Sequence, residues 1–517
     1  MKKIFLAALL VLISFLVASC KKDEEPTLWQ QLKLEHPLND VYYEIFIRSF
    51  ADGDGDGIGD LSGITENLDY LSDLGVTGIW LMPIHPSSSY HGYDVLDYYA
   101  IHEDYGTMAD FDTLIDEAEK KGIRVMIDLV INHSSDQHPW YLAAKNSGHP
   151  NYNTYRSYYF KPNGQSYKSF PGAMIDFNLE SESTVEAFYD IIDFYIDKGV
   201  KGFRVDAAKH LIMDVNLETG ISSYGAHIDN HLFLLDIKRH IKEADESVML
   251  VSEIFDRDYA VFGQYYRGSD SVFNFHIAQN IINKVKGLQR STLASSFNQS
   301  YNYFRQYNYD FIDAPFLTNH DEDRIANEME GSLYQLERLK LASRILLTLP
   351  GSPFIYYGEE LGMKGERYEG IIIPGYGTVY DEYRRQPFLW GDERNTTWLP
   401  SDGSNTQVAN AGTQQQDASS LYHAYKQMIA IRKDNPALMF GNNYVVYTVP
   451  NVVPAEIQAY VRYFMNDKVE QAVLVIHNMS DKVQSLDPIE HEAILYGNFV
   501  MQPFETLILQ IDASDYR

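Results

Sequence analysis

Eight apolar runs of strand length recur along the chain with helix-length spacers between them, and a parallel sheet closed into a barrel accommodates that pattern. The runs are Val41–Phe50, Val76–Ile84, Val125–Ile131, Gly202–Asp206, Val248–Glu253, Ser271–Phe275, Phe311–Leu317 and Pro353–Tyr357. Spacers such as Asp110–Lys121 and Glu182–Lys198 carry apolar residues at helical intervals, with Phe188, Ile191, Ile192 and Tyr195 on one face. This alternation predicts an α/β fold, a (β/α)8 TIM barrel, whose chemistry gathers at the C-terminal ends of the strands. The spacer after the third run is different. From Ser134 to Met174 it is rich in Tyr, Asn, Ser, Gly and Pro, without a long helical period, and reads as a short inserted subdomain. Past residue 430 the pattern alternates, at Tyr444–Thr448, Ile457–Phe464, Ala472–His477 and Thr506–Ile511, which predicts a C-terminal antiparallel β-sandwich. The expected division is therefore 40–133 with 175–430 for the barrel, 134–174 for the insert and 431–517 for the sandwich.

The first residues read as an address. Lys2 and Lys3 precede an apolar core, Ile4 to Leu16, and a small-residue site, Val17-Ala18-Ser19, so 1–19 is expected to be a signal peptide. Cys20, the single cysteine of the chain, follows at once, and LVASC resembles a bacterial lipobox. Cys20 is thus the expected lipidation site, with residues 20–39 as a flexible tether. The acidic Lys21-Lys22-Asp23-Glu24-Glu25 pattern is similar to the signal that carries some lipoproteins to the outer face of the outer membrane. That would place the protein on the cell surface, lipid-anchored to the outer membrane. A formal charge of −30 argues against nucleic acid as a partner and suits a neutral ligand or divalent cations.

Three runs deliver a carboxylate just past a strand: GFRVDAAKH with Asp206, SEIF with Glu253 and TNHDEDR with Asp321. One protonated carboxylic acid and one nucleophilic carboxylate are what retaining hydrolysis of a glycosidic bond requires, at a separation of about 5–5.5 Å. Arg204, two residues before Asp206, shares its strand face and would keep it ionised. Glu253 would need its pKa raised by burial and nearby carboxylates. A second feature is the loop Asp52-Gly-Asp54-Gly-Asp56-Gly57-Ile58-Gly-Asp60. Its alternate carboxylates, with the Ile58 carbonyl, can converge on one hard cation such as Ca2+, and Gly57 gives the sharp turn. The spacing of a phosphate-binding glycine loop is not met, and the acids would repel phosphate.

With Asp128-Leu-Val-Ile-Asn132-His133 at the end of the third run, the set becomes specific. The ordered motifs DLVINH, GFRVDAAKH, SEIF and TNHD resemble glycoside hydrolase family 13, the α-amylase family, over roughly residues 40–430. HGYDV, MIDFNL and YYGEELGM add support. The resemblance implies Asp206 as nucleophile, Glu253 as acid/base and Asp321 as the acid that grips ring hydroxyls. It implies sugar contacts from Tyr93, His133 and His320, and from Lys209 and His210 across the scissile bond. It also implies a metal at the 52–60 loop, and a second one at Asn132 and the His210 carbonyl, where Asn178 stands in place of a frequent Asp. His85, His102 and His138 show no ligand spacing and are expected to be structural.

Within that family, Lys209-His210 matches enzymes acting on polymers, and Tyr90 stands where exo-acting members often carry an acid. Both favour endo-cleavage of α-1,4-glucosidic bonds in starch and malto-oligosaccharides, and the chain most resembles the cell-surface lipoprotein α-amylases of starch-utilisation systems, which implies other glycan-uptake proteins as partners. The alternatives are a cyclomaltodextrinase, neopullulanase or oligo-1,6-glucosidase, and, in another class, a non-catalytic starch-binding surface lipoprotein.

Overall fold

The computed structural model describes residues 26–212, 214–215, 222–223, 228–287, 293–368, 370–373 and 377–517. The expected signal segment and Cys20 lie outside the described residues. Within the span expected as a tether, Leu28–Glu35 is helical, opened by a capping box in which Thr27 and Gln30 bond each other's backbone N–H groups.

All eight apolar runs yield strands: β1 (Tyr42–Ile45), β2 (Gly78–Leu81), β3 (Arg124–Leu129), β4 (Gly202–Val205), β5 (Met249–Ser252), β6 (Ser271–Phe273), β7 (Ile312–Ala314) and β8 (Phe354–Tyr356). They hydrogen-bond in the order β7-β6-β5-β4-β3-β2-β1-β8, every pair parallel. A single parallel bridge, Phe316 to Phe354, joins the two edges and closes the barrel. Most strands are shorter than the apolar runs. The first run, expected to extend to Phe50, leaves the sheet at Ile45 and turns into a one-turn helix, Ile47–Phe50. Burial continues through it, with Ile47 and Phe50 keeping the run apolar at its ends although Arg48 and Ser49 are polar.

The barrel interior is packed by Tyr42, Trp80, Met126, Val251, Phe273, Phe316 and Phe354. Gly202 packs closely against the neighbouring strand, since a Cβ would sit 2.7 Å from Met126 Cε and 3.1 Å from its Cβ. Two residues beyond Tyr42, Met126 and Gly202, on the same strand faces, come Glu44, Asp128 and Arg204. The apolar plug thus ends where the charged layer begins. Helix Glu182–Asp197 buries Phe188, Ile191, Ile192 and Tyr195, the face expected from the sequence.

The insert is framed by an antiparallel pair, His133–Ser135 with Met174–Asp176, and holds two short helices, Pro139–Ala144 and Tyr152–Tyr155. Trp140 packs it onto the barrel through Tyr98 and Phe188. The C-terminal region forms an antiparallel sheet of β9 (Asn443–Tyr447), β10 (Ile457–Met465), β11 (Glu470–Asn478), β12 (Ala493–Tyr496) and β13 (Thr506–Ile511), ordered β9-β10-β11-β13-β12. Its second layer is a two-stranded ribbon, Gln484–Ser485 with Val500–Met501, whose Met501 and neighbouring Leu486 pack on the sheet. Helix Leu421–Asp434 runs across the expected 430/431 boundary. Its buried Arg432 donates to the carbonyls of Leu347 and Leu349, at 2.8 and 2.7 Å.

Just past β8, Glu359 and Glu360 are buried side by side. Glu359 accepts from Tyr425 Oη at 2.7 Å, and Glu360 from Tyr43 and Tyr70 at 2.8 and 2.6 Å. Burial pushes Glu359 up from 4.5 to about 8, with the Glu360 charge adding to it. Between those two values the folded chain holds a proton that the unfolded chain releases, so stability falls as pH rises. The melting temperature should therefore drop across pH 5 to 8, and Glu359→Gln should flatten that slope by about 3 °C in calorimetric scans; an equally steep slope in the variant would refute it.

Candidate active site

Asp206 and Glu253 each occupy the first position after a strand, β4 and β5, so the barrel wall aims both into the same opening. The opening is a cleft of about 550 Å3 whose lining includes Tyr93, His133, Asp206, Lys209, His210, Glu253 and Asp321. Among the expected sugar-contacting and acidic residues, Arg204 and His320 lie beneath it.

Arg204 is the hub. Its Nη1 donates to Asp206 Oδ1 and to Asp128 Oδ1, both at 2.6 Å, while Nη2 lies 3.9 Å from Glu253 Oε2. The guanidinium is 1 % exposed and lies over Trp80, whose Nε1 donates to Asp128 at 3.1 Å. Glu253 Oε2 also accepts from the Ala207 N–H at 3.0 Å. Ala207 has φ 48°, a left-handed conformation that costs a non-glycine residue about 1 kcal/mol or more. That strain turns its N–H onto Glu253. Burial raises Glu253 to about 7, the Arg204 charge opposes the rise, and Asp206 and Asp321 add to it. Burial likewise lifts Asp128 to about 6 against the pull of Arg204.

The third acid is held from two sides. Asp321 Oδ2 is 3.2 Å from His320 Nε2, and Arg385 Nη2 donates to its Oδ1 at 3.0 Å. Burial would raise its pKa, but His320 and Arg385 outweigh it and hold the carboxylate well below its usual range. His320 in turn donates from Nδ1 to Glu44 at 2.6 Å. Burial would lower this imidazole, yet Asp321 and Glu44 raise it to about 9, so it is cationic at neutral pH. Tyr93 Oη lies 2.8 Å from His320 Nε2, and its ring stacks on His320 and His91, making a flat floor. His133 leaves Nε2 buried and without a hydrogen-bond partner beside the cleft, a group that a ligand hydroxyl can satisfy. Lys209 pairs with Asp256 at 2.8 Å, and His210, lowered to about 4 by burial and by Lys209, packs against Phe170.

Several lining residues carried no sequence motif. Asp381 and Arg385 come from the segment after β8 and pair at 2.9 Å. Tyr90 donates its hydroxyl to Asp381 and receives Arg385 Nη1 at 3.2 Å. Position 90 thus carries no acid, but it anchors one, and that end of the cleft is walled. Phe170 and Phe255 supply apolar faces from the insert and the β5 loop. Glu44 had a legible signal, a lone acid inside an apolar strand run.

In the 52–60 loop, Asp52, Asp54 and Asp60 bring carboxylate oxygens within 4.8 Å of one another; among the described residues this is the one such gathering of His, Cys, Asp and Glu. Clustered carboxylate oxygens are the hard donors that a calcium-type cation takes. Gly57, at φ 92°, makes the expected turn. Asp56 accepts the Ile58 N–H at 2.7 Å and stands outside this group of carboxylates. At the second expected position, Asn132 turns its Nδ2 to His133 Nδ1 at 3.1 Å, and Asn178 donates to the Ser157 carbonyl at 3.2 Å. His85, His102 and His138 are all buried, with His102 and His138 accepting backbone N–H groups at helix starts.

Residues 44–441 match the family model described as the α-amylase catalytic domain. The chain belongs to glycoside hydrolase family 13. It is 35 % identical to Alpha-amylase 3 of Dictyoglomus thermophilum, over 92 % of this chain and 93 % of that protein. It is 27 % identical to an oligo-1,6-glucosidase of Parageobacillus thermoglucosidasius, over 90 % and 95 % respectively. The crystal structure of the α-amylase from H. orenii superposes with a TM-score of 0.76, at 33 % identity, covering 92 % of this chain and 98 % of that one. This family 13 protein is thus a hydrolase of α-glucosidic bonds.

With Glu253 protonated below about pH 7, kcat/KM should fall about tenfold per pH unit above that value. Glu253→Gln should lower kcat by about 10³ and abolish that alkaline limb. A limb that persists in the variant would assign the titration to another group.

Proposed function

We propose that the protein is an endo-acting, retaining hydrolase of α-1,4-glucosidic bonds in starch and malto-oligosaccharides. The observation that carries the retaining chemistry is the pairing of Asp206 with Arg204 in the same cleft as a Glu253 raised to about 7, and Lys209-His210 supports action on polymers. In the first step a carboxylate oxygen of Asp206 attacks the anomeric carbon while Glu253 transfers its proton to the departing glycosidic oxygen. A glycosyl ester and a shortened chain result. In the second, Glu253 takes a proton from water, whose oxygen displaces Asp206 and regenerates both acids. Asp321 is suited to accept hydrogen bonds from two ring hydroxyls, with Tyr93 beneath the sugar. These contacts strengthen as the ring flattens toward the oxocarbenium-like transition state.

The Asp381–Arg385 wall favours a second reading, exo-action or α-1,6 cleavage on short substrates, and an oligo-1,6-glucosidase is among the relatives. Chromatography of early products from soluble starch separates the two. Endo-attack gives a ladder of oligosaccharides, and one dominant small sugar would replace it with the second reading.

We further propose that Asp52, Asp54 and Asp60 hold Ca2+, which would tie the loop after β1 to the start of helix Leu61–Glu66, capped by Asp60. Chelation should lower the melting temperature by about 5 °C, an effect of mass action. Asp54→Ala should melt at the lower value with or without chelator. Coincident melting of chelated and calcium-loaded wild type would leave the loop as a turn.

A further inference from the structure

Helix Leu293–Phe304, LASSFNQSYNYF, contains no charged residue, although the chain is 22 % charged. Its inner face buries Leu293, Ala294, Phe297, Tyr301 and Phe304. Its outer face would ordinarily carry Lys and Glu. Instead it presents Asn298, Gln299 and Asn302, continued by Gln306, and together with Tyr259 and Tyr303 these line a surface groove of about 470 Å3. No residue lining the groove is charged or aliphatic. Two nearby charges already have partners: Asp258 caps the helix Tyr259–Phe262, and Arg305 donates to Oδ1 of the groove residue Asn302 and to the Asn442 carbonyl.

The two tyrosines meet edge to face, centroids 5.5 Å apart and planes at 72°. Tyr303 is fixed by donation to the Ala260 carbonyl at 3.1 Å and receives the Tyr307 hydroxyl at 2.9 Å. A rigid aromatic corner flanked by amides offers stacking surface together with neutral donors and acceptors. That chemistry suits a ligand with apolar ring faces and many hydroxyls, and offers nothing to an ion. The groove also adjoins the cleft: Phe255, which lines the cleft, packs on Phe275, and the next residue, His276, packs on Tyr259.

We propose that this groove is a second binding site for α-glucan chains, which holds a polymer on the enzyme while another stretch occupies the cleft. The proposal rests on the α-glucan reading above. It requires that long substrates feel the groove and short ones do not. The test compares Tyr259→Ala, Tyr303→Ala and the exposed pair Gln299→Ala with Gln306→Ala, each also carried on Asp206→Asn for binding. Affinity electrophoresis in soluble starch and kinetics on starch and on maltotriose are the readouts. Starch affinity should fall about fivefold in each tyrosine variant, and KM for starch should rise to match. Maltotriose kinetics should move less than about twofold. Unchanged starch affinity in all three variants, with wild type hydrolysing starch, would overturn the groove. Failure of wild type to hydrolyse starch would overturn the α-glucan reading instead. If a tyrosine variant unfolds, the glutamine pair decides, since both side chains are exposed.

Discussion

One buried cation organises the chemistry. Arg204 is shared by Asp128, Asp206 and Glu253, three carboxylates on a single positive charge in a site that water barely reaches. The nearest two, at 2.6 Å, take most of its field, and Glu253 at 3.9 Å is left the weakest compensated. Burial is what lifts Glu253 to about 7, and Arg204, at the longer distance, opposes that rise without cancelling it. The charge cannot simply be replaced. Removing it would strand three carboxylates in a low-dielectric layer directly above the apolar plug.

The second cation, His320, works by the same logic in reverse. Held between Glu44 and Asp321, it stays protonated and keeps Asp321 ionised beside an acid that must not be. Ala207 adds a backbone contribution, since its strained conformation points an N–H at Glu253 rather than at a neighbouring carbonyl. The site is therefore set by the exits of β1, β4 and β5 and by the loop after β7, elements whose mutual positions the closed sheet fixes.

Most of this was legible in the chain. Strands of a parallel barrel are buried on both faces, so they read as continuous apolar runs, and the acids follow the β4 and β5 runs at once. The ends of the runs were less legible, because the helix Ile47–Phe50 is buried throughout, like the strand before it. The short strand Ala493–Tyr496 was missed because half-exposed residues blur its alternation. Asp381 and Arg385 could not be read at all, since their approach to Asp321 is made by tertiary folding of a segment without periodicity. In the 52–60 loop, alternate spacing suggested four carboxylates and a carbonyl; three of the carboxylates gather, while Asp56 stays outside that group and accepts the Ile58 N–H.

The pairing of β1 with β8 sets a timing problem. Tyr42 of β1 lies beside Phe354, more than 300 positions later, so one edge of the first stave has no neighbour until about two thirds of the polypeptide has left the ribosome. Until then the nascent sheet offers an unpaired rim bearing Tyr42 and Tyr43, with Glu44 as its sole charged residue. A barrel stitched shut by its last stave is slow to complete, and it will depend on whatever shields that rim during synthesis.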